Sequence, residues 1–179
     1  HWIQECIIRE APEPKDGEEM PAWYERDDHL HGCQNAYLID DEQTLLFDTL
    51  TQASTDYILE IVDDLLGGHP PDYLAISHPE ANHSGNTFPI IQEYPEITVI
   101  APEYGADHEQ ELYHLDEENV RYVREGDSID LGNHEVTFHK PHFYDHSMHV
   151  WMSESTTETL FPVDWLGYQH IGGDCLKYA

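Results

Sequence analysis

Ser77-His78-Pro79-Glu80-Ala81-Asn82-His83-Ser84-Gly85 brings two imidazoles, a carboxylate and an amide together within six residues, directly after an apolar run. That run, Asp72 to Ser77, has the length of a short buried strand. Gly85 lets the backbone turn tightly into a helix expected over Asn86 to Glu93. A strand end is a rigid platform, and the loop leaving it can aim several side chains at one point. Imidazole with carboxylate suits iron, zinc or manganese rather than calcium, which takes oxygen ligands. The plain alternative is a polar loop in a chain that carries 14 histidines.

Further strand ends repeat the pattern. His142-Phe-Tyr-Asp-His146-Ser-Met-His149 follows a strand ending at His139, and Asp164 closes the apolar run Thr159 to Val163. A buried carboxylate needs a counter-charge, which a metal would supply. Asp48, at the end of Thr44-Leu-Leu-Phe47, is a fourth such position, placed to orient a ligand histidine from behind. If the strands lie side by side, their ends form one constellation. Around them, Trp2 to Arg9 reads as an edge strand. Asn35 to Asp40 and Thr44 to Asp48 form a hairpin about Asp41-Glu-Gln43. Ser54 to Leu66 has helical spacing and is stopped by Gly67-Gly68. A strand over Ile97 to Ala101 and a helix over Glu103 to Leu115 follow. Strands are then expected at Val120 to Arg124, Ser128 to Leu131 and Val136 to His139, with a last hairpin pairing Met148 to Met152 with Thr159 to Val163. Strands and helices alternate early and strands cluster late, which predicts α/β layers with mixed sheets covered by helices.

Composition bounds the partners. The 179 residues hold 37 Asp plus Glu against 7 Lys plus Arg, a formal net charge of −30. Such a surface repels nucleic acid and anionic membrane, both of which need a cationic patch. Aromatic residues at 11% and recurrent apolar runs argue against disorder. The acid is spread in pairs between apolar segments, so it reads as a coat on a folded domain, suited to a salt-rich, halophilic cytoplasm. No apolar run reaches the length of a membrane span and no signal peptide is visible. Cys6, Cys33 and Cys175 are widely spaced, which predicts reduced thiols and a cytoplasmic protein.

Taken in order, the landmarks resemble the metallo-β-lactamase fold and, within it, the diiron domain of flavodiiron proteins. They are Asn35-Ala-Tyr-Leu-Ile, Leu-Phe-Asp48-Thr, His78-x-Glu80-x-Asn82-His83-Ser-Gly, the Gly126 to Gly132 turn region, His142-Phe-x-Asp, and Val-Asp164-x-x-Gly-x-x-His170. Many hydrolases of the fold carry a histidine where Glu80 stands, and the carboxylate points to the iron-binding branch. The resemblance implies an αββα sandwich of two mixed sheets flanked by helices. It implies a single domain over residues 1–179, truncated at the C-terminus. His78, Glu80 and His142 would hold a first iron, Asp164 would bridge two, and Asn82 and His83 would serve the second. His78, Glu80 and Asp164 would be the catalytic set, while Asp48, His149 and His170 would support the ligands.

By the same resemblance the chemistry is reduction of oxygen or nitric oxide at two iron ions, with electrons from FMN on another domain, chain or electron-transfer protein. Flavodiiron relatives work as head-to-tail dimers, so a homo-oligomer is expected. Asn82 stands where the family has aspartate, and a neutral amide holds a second cation more weakly. The family's last ligand histidine comes from well beyond the bridging aspartate, whereas this sequence stops 15 residues after Asp164. His146 is one residue more than the family spacing, and an alternative alignment makes it the ligand in place of His142. Two other readings stay open. One is a zinc-dependent hydrolase in which metal-bound hydroxide attacks an ester or thioester. The other is a degenerate domain that binds one metal or none and acts as a dimerisation module.

Overall fold

The computed structural model describes residues 1–9, 16–17, 19, 30–103, 119–143, 148–165 and 169–171. Among them the chain runs β1 (Trp2–Arg9), β2 (Leu30–Ile39), β3 (Leu45–Phe47), α1 (Thr55–Leu66), β4 (Tyr73–Ala75), α2 (Ala81–Ser84), α3 (Thr87–Glu93) and β5 (Thr98–Pro102). It continues through β6 (Val120–Val123), β7 (Ser128–Asp130), β8 (Glu135–His139), β9 (Trp151–Glu154), β10 (Thr159–Phe161) and β11 (Gln169–Ile171). The expected helix from Glu103 to Leu115 falls outside the described residues beyond Glu103, as does His146.

Strands β1-β2-β3-β4-β5-β6 lie side by side in one sheet, with β11 also on β2. This sheet is mixed: β1, β2, β3 and β11 pair antiparallel, whereas β3-β4-β5-β6 are parallel. The second sheet, β10-β9-β8-β7, is antiparallel throughout. Alternation along the strands divides the core into two layers. Leu38, Leu46, Leu74 and Ile76 face outward onto Ile58, Val62 and Leu66 of α1 and Ile90 of α3. Leu45, Phe47, Ala75 and Ile100 face inward onto Val136, Phe138 and Met152 of the second sheet.

Helix α1 buries Ile58, Val62 and Leu66, one stripe at i, i+4, i+8, and leaves Tyr57 exposed. Gly67 ends it in the left-handed region at φ 62°, its N–H returning to the Asp63 and Asp64 carbonyls.

Three expectations shift. Strand β2 begins at Leu30, because β1 pairs with it along all eight of its residues. The late hairpin starts at Trp151, since the Val150 N–H donates to the Ser77 carbonyl of the other sheet (2.8 Å). Cys6 and Cys33, expected to be reduced thiols, are cross-strand partners in β1–β2 and form a disulfide; the antiparallel register closes the 27-residue separation that made them look unrelated.

Candidate metal centre

The parallel strands β3 and β4 deliver their C-terminal ends to one edge of the sandwich, and there the chain turns into Asp48 and Ser77-His78. Asp48 and Leu50 have φ values of 64° and 62°, and Asp164, arriving from β10, has 56°. Non-glycine residues avoid this region, and such conformations persist only where surrounding structure enforces them. Here it does. The Thr49 N–H and hydroxyl both donate to the His83 carbonyl (2.7 and 2.9 Å). The buried Asn86 amide donates to the carbonyls of Thr49, Leu50 and Thr51. Gly85 makes the close approach: a Cβ there would sit 2.5 Å from the Ala81 carbonyl and 2.8 Å from that of Leu50.

This frame orients both imidazoles from behind. The Asp48 carboxylate, 2% exposed, accepts from the Ser77 N–H (2.8 Å) and the Ser77 hydroxyl (2.9 Å), and lies 2.8 Å from His83 Nδ1. On the other side, Asp164 sets one oxygen 2.9 Å from His83 Nε2 and the other 3.1 Å from His78 Nε2. His78, His83 and Asp164 have ligand atoms all within 4.8 Å of one another. His78 is fully buried, and its Nε2 makes no well-directed hydrogen bond among the described residues although Asp164 Oδ2 lies 3.1 Å away. An orphaned imidazole nitrogen beside a carboxylate costs free energy unless a cation meets it. The donors present therefore fit a metal ion.

Electrostatics agree. His78 and then His83 hold the Asp164 carboxyl far below the usual range, against the opposing effect of burial. Burial disfavours charge on His83, but hydrogen bonds to Asp164 and Asp48 outweigh it and push the imidazole up to about 10. Without a metal, His83 is a cation clamped between two carboxylates.

The other expected residues fall as follows. Glu80, half exposed, has an oxygen 3.8 Å from His78 Nε2. Its carbonyl accepts from the N–H groups of His83 and Ser84, which starts α2. Asn82 brings its amide nitrogen within 2.7 Å of His83 Nε2. His149 is buried, its ring 4.5 Å from that of His78. His142 is exposed and does not join the group of ligand atoms. Its neighbour Phe143 stacks on Trp165, next to Asp164, with centroids 4.3 Å apart and both rings about half exposed. His170 lies in β11 opposite His31 of β2. Ser77, Thr49 and Asn86 were not expected. The signal available for Ser77 was a hydroxyl between a buried strand and a candidate ligand.

The metallo-beta-lactamase superfamily profile matches residues 32–167, a span holding Asp48, His78, His83 and Asp164. The chain belongs to the metallo-beta-lactamase superfamily. Among superfamily members, it is 28% identical over 141 residues to the rubredoxin-oxygen oxidoreductase of Megalodesulfovibrio gigas, covering 74% of this chain and 35% of that protein. It is 30% identical over 99 residues to the anaerobic nitric oxide reductase flavorubredoxin of Vibrio vulnificus, covering 55% and 20%. The solved structure of the rubredoxin:oxygen oxidoreductase from Desulfovibrio gigas superposes with a TM-score of 0.62 at 25% identity, over 69% of this chain and 30% of that one. Its homologues and structural neighbours are flavodiiron proteins, and the chain spans about a third or less of the length of these relatives.

Proposed function

We propose that this domain reduces oxygen or nitric oxide at two iron ions, taking electrons from FMN carried on another domain or chain. The observation that carries the reading is the attitude of Asp164: each of its oxygens faces a different buried imidazole, as a carboxylate bridging two cations would. His78 and His83 would each give Nε2, Glu80 and His142 stand at the exposed side, and Asn82 adjoins the His83 position. Bound iron would supply ferrous–ferric cycling, which side chains alone cannot. The residues of this chain hold, space and desolvate it. Asp48 and Ser77 fix the imidazoles, and His149 closes the buried side of His78. The exposed pair Phe143 and Trp165, next to Asp164, is a surface on which a flat flavin ring can stack.

The test is to load the protein anaerobically with ferrous iron, count iron per chain and measure oxygen and nitric oxide uptake with a reduced flavin donor. Two irons with flavin-dependent uptake are expected. Zinc retention with thioester hydrolysis and no gas uptake would replace this reading with hydrolysis by the same fold.

A further inference from the structure

We infer that Ser77 is a positioning residue: its hydroxyl carries the pull of Asp48 across to His78, so that one buried carboxylate holds both imidazoles by their Nδ1 N–H groups. The inference rests on the metal-binding reading for its purpose, but its geometry stands in the protein alone.

The argument is one of proton counting. A hydroxyl has one proton to give. Ser77 Oγ lies 2.9 Å from Asp48 Oδ2 and 3.2 Å from His78 Nδ1. An ionised carboxylate can only accept, so the Ser77 proton must go to Asp48; otherwise two lone pairs would face each other across 2.9 Å in a buried site. Having given its proton, Ser77 Oγ can only accept from His78. That requires N–H at Nδ1 of His78 and turns Nε2 toward the open side of the site. Nε2 of His78 lies 3.1 Å from Asp164 Oδ2 and makes no well-directed hydrogen bond among the described residues. His83 is held without a relay, because its Nδ1 meets Asp48 directly at 2.8 Å.

The two routes differ for a reason of backbone position. Ser77 N–H donates to Asp48 Oδ1, which fixes the carboxylate against the end of β4, and His78 is the next residue along. Its ring cannot reach round to the carboxylate that its own neighbour occupies. A small hydroxyl side chain fills the gap; alanine would leave the gap open and bring no acceptor to Nδ1. Ser77 is fully buried, so water does not substitute for the hydroxyl.

Tautomers are read directly from two-bond proton–nitrogen correlation spectra of the metal-free protein labelled in its histidines. In the unmodified protein His78 is expected with a proton on Nδ1; an Nδ1 without a proton overturns the inference without any variant. In Ser77→Ala, His78 is expected to shift toward the Nε2–H form, with cobalt(II) affinity about 10- to 100-fold weaker. Ser77→Thr, which keeps the hydroxyl, should restore both. An unchanged His78 tautomer in Ser77→Ala, or a threonine variant that folds and behaves like alanine, sinks the idea. A correct tautomer in a protein that takes up no metal would instead remove the proposed function and leave the role of Ser77 standing.

Discussion

Two buried carboxylate–histidine clusters sit toward opposite ends of the strands, and their hydrogen bonding is settled in different ways. At one end, Glu154 of β9 accepts from the N–H groups of Thr156 and Thr157, from the Thr157 hydroxyl and from His134. Its chain satisfies it completely, and the cluster closes the turn between β9 and β10. At the other end, Asp48 is satisfied, but the imidazoles it orients bring their outer nitrogens to Asp164, and one of those nitrogens makes no well-directed hydrogen bond. The same residue types make a structural clamp where every group is paired and a receptive site where one is left over. Buried acid near histidine is therefore not the mark of function in this −30 chain; the convergence of two imidazoles and a carboxylate on one point is.

The sharpest way to break this contrast is to remove the receptive end. In His78→Ala with Asp164→Ala, bound metal after gel filtration should fall to background while far-ultraviolet circular dichroism stays unchanged; retention of metal would refute the site. Gly85→Ala should come next. A methyl placed 2.5 Å from a backbone carbonyl has nowhere to go, so the loop must move. A loss of about 3 kcal/mol in urea unfolding, with weakened metal binding, is expected. Glu154→Ala removes the shared acceptor of several part-buried donors and should cost about 1 kcal/mol. It should leave metal affinity as it was. A matching drop in affinity would mean the two ends are coupled.

The smallest effect separates the clusters by pH. Burial works against the Glu154 charge, but the Thr157 hydroxyl, the Thr156 and Thr157 N–H groups and His134 hold its carboxyl down to about 2, from an ordinary 4.5. A lowered carboxyl adds stability that is complete above 4.5 and lost as pH falls toward 2. His83, raised from 6.5 to about 10, adds stability that is complete below 6.5 and lost as pH rises through 10. Urea midpoints of the metal-free protein should decline on both sides. Glu154→Gln should flatten the acid side alone.

Much of this was legible in the sequence because strand ends are legible. Apolar runs closing on Asp48, His78 and Asp164 mark where strand ends deliver polar side chains, and these three positions converge. His142 follows its strand through Lys140 and Pro141 rather than at the end of an apolar run, so spacing does not fix its direction; it is exposed. Asn86 and Thr49 were invisible because their work is to pin carbonyls far away in sequence, which leaves no local pattern. Strand β11 was missed for a similar reason: three residues pair with β2 more than 130 positions earlier. The disulfide was hidden in the register of β1 on β2, not in any spacing of cysteines.

The contact between His83 and Asp164 spans 81 positions and joins a loop of the first sheet to the end of a strand in the second. Each half can collapse on its own, but closing a loop of this length is slow relative to local pairing. During synthesis His78, His83 and Asp48 emerge long before their partner does. The early half offers histidines without the anionic oxygen that joins them, so firm capture of an ion waits for the sheets to dock. An ion bound there would fasten two layers that otherwise meet through apolar packing, and its removal should be felt first as faster unfolding.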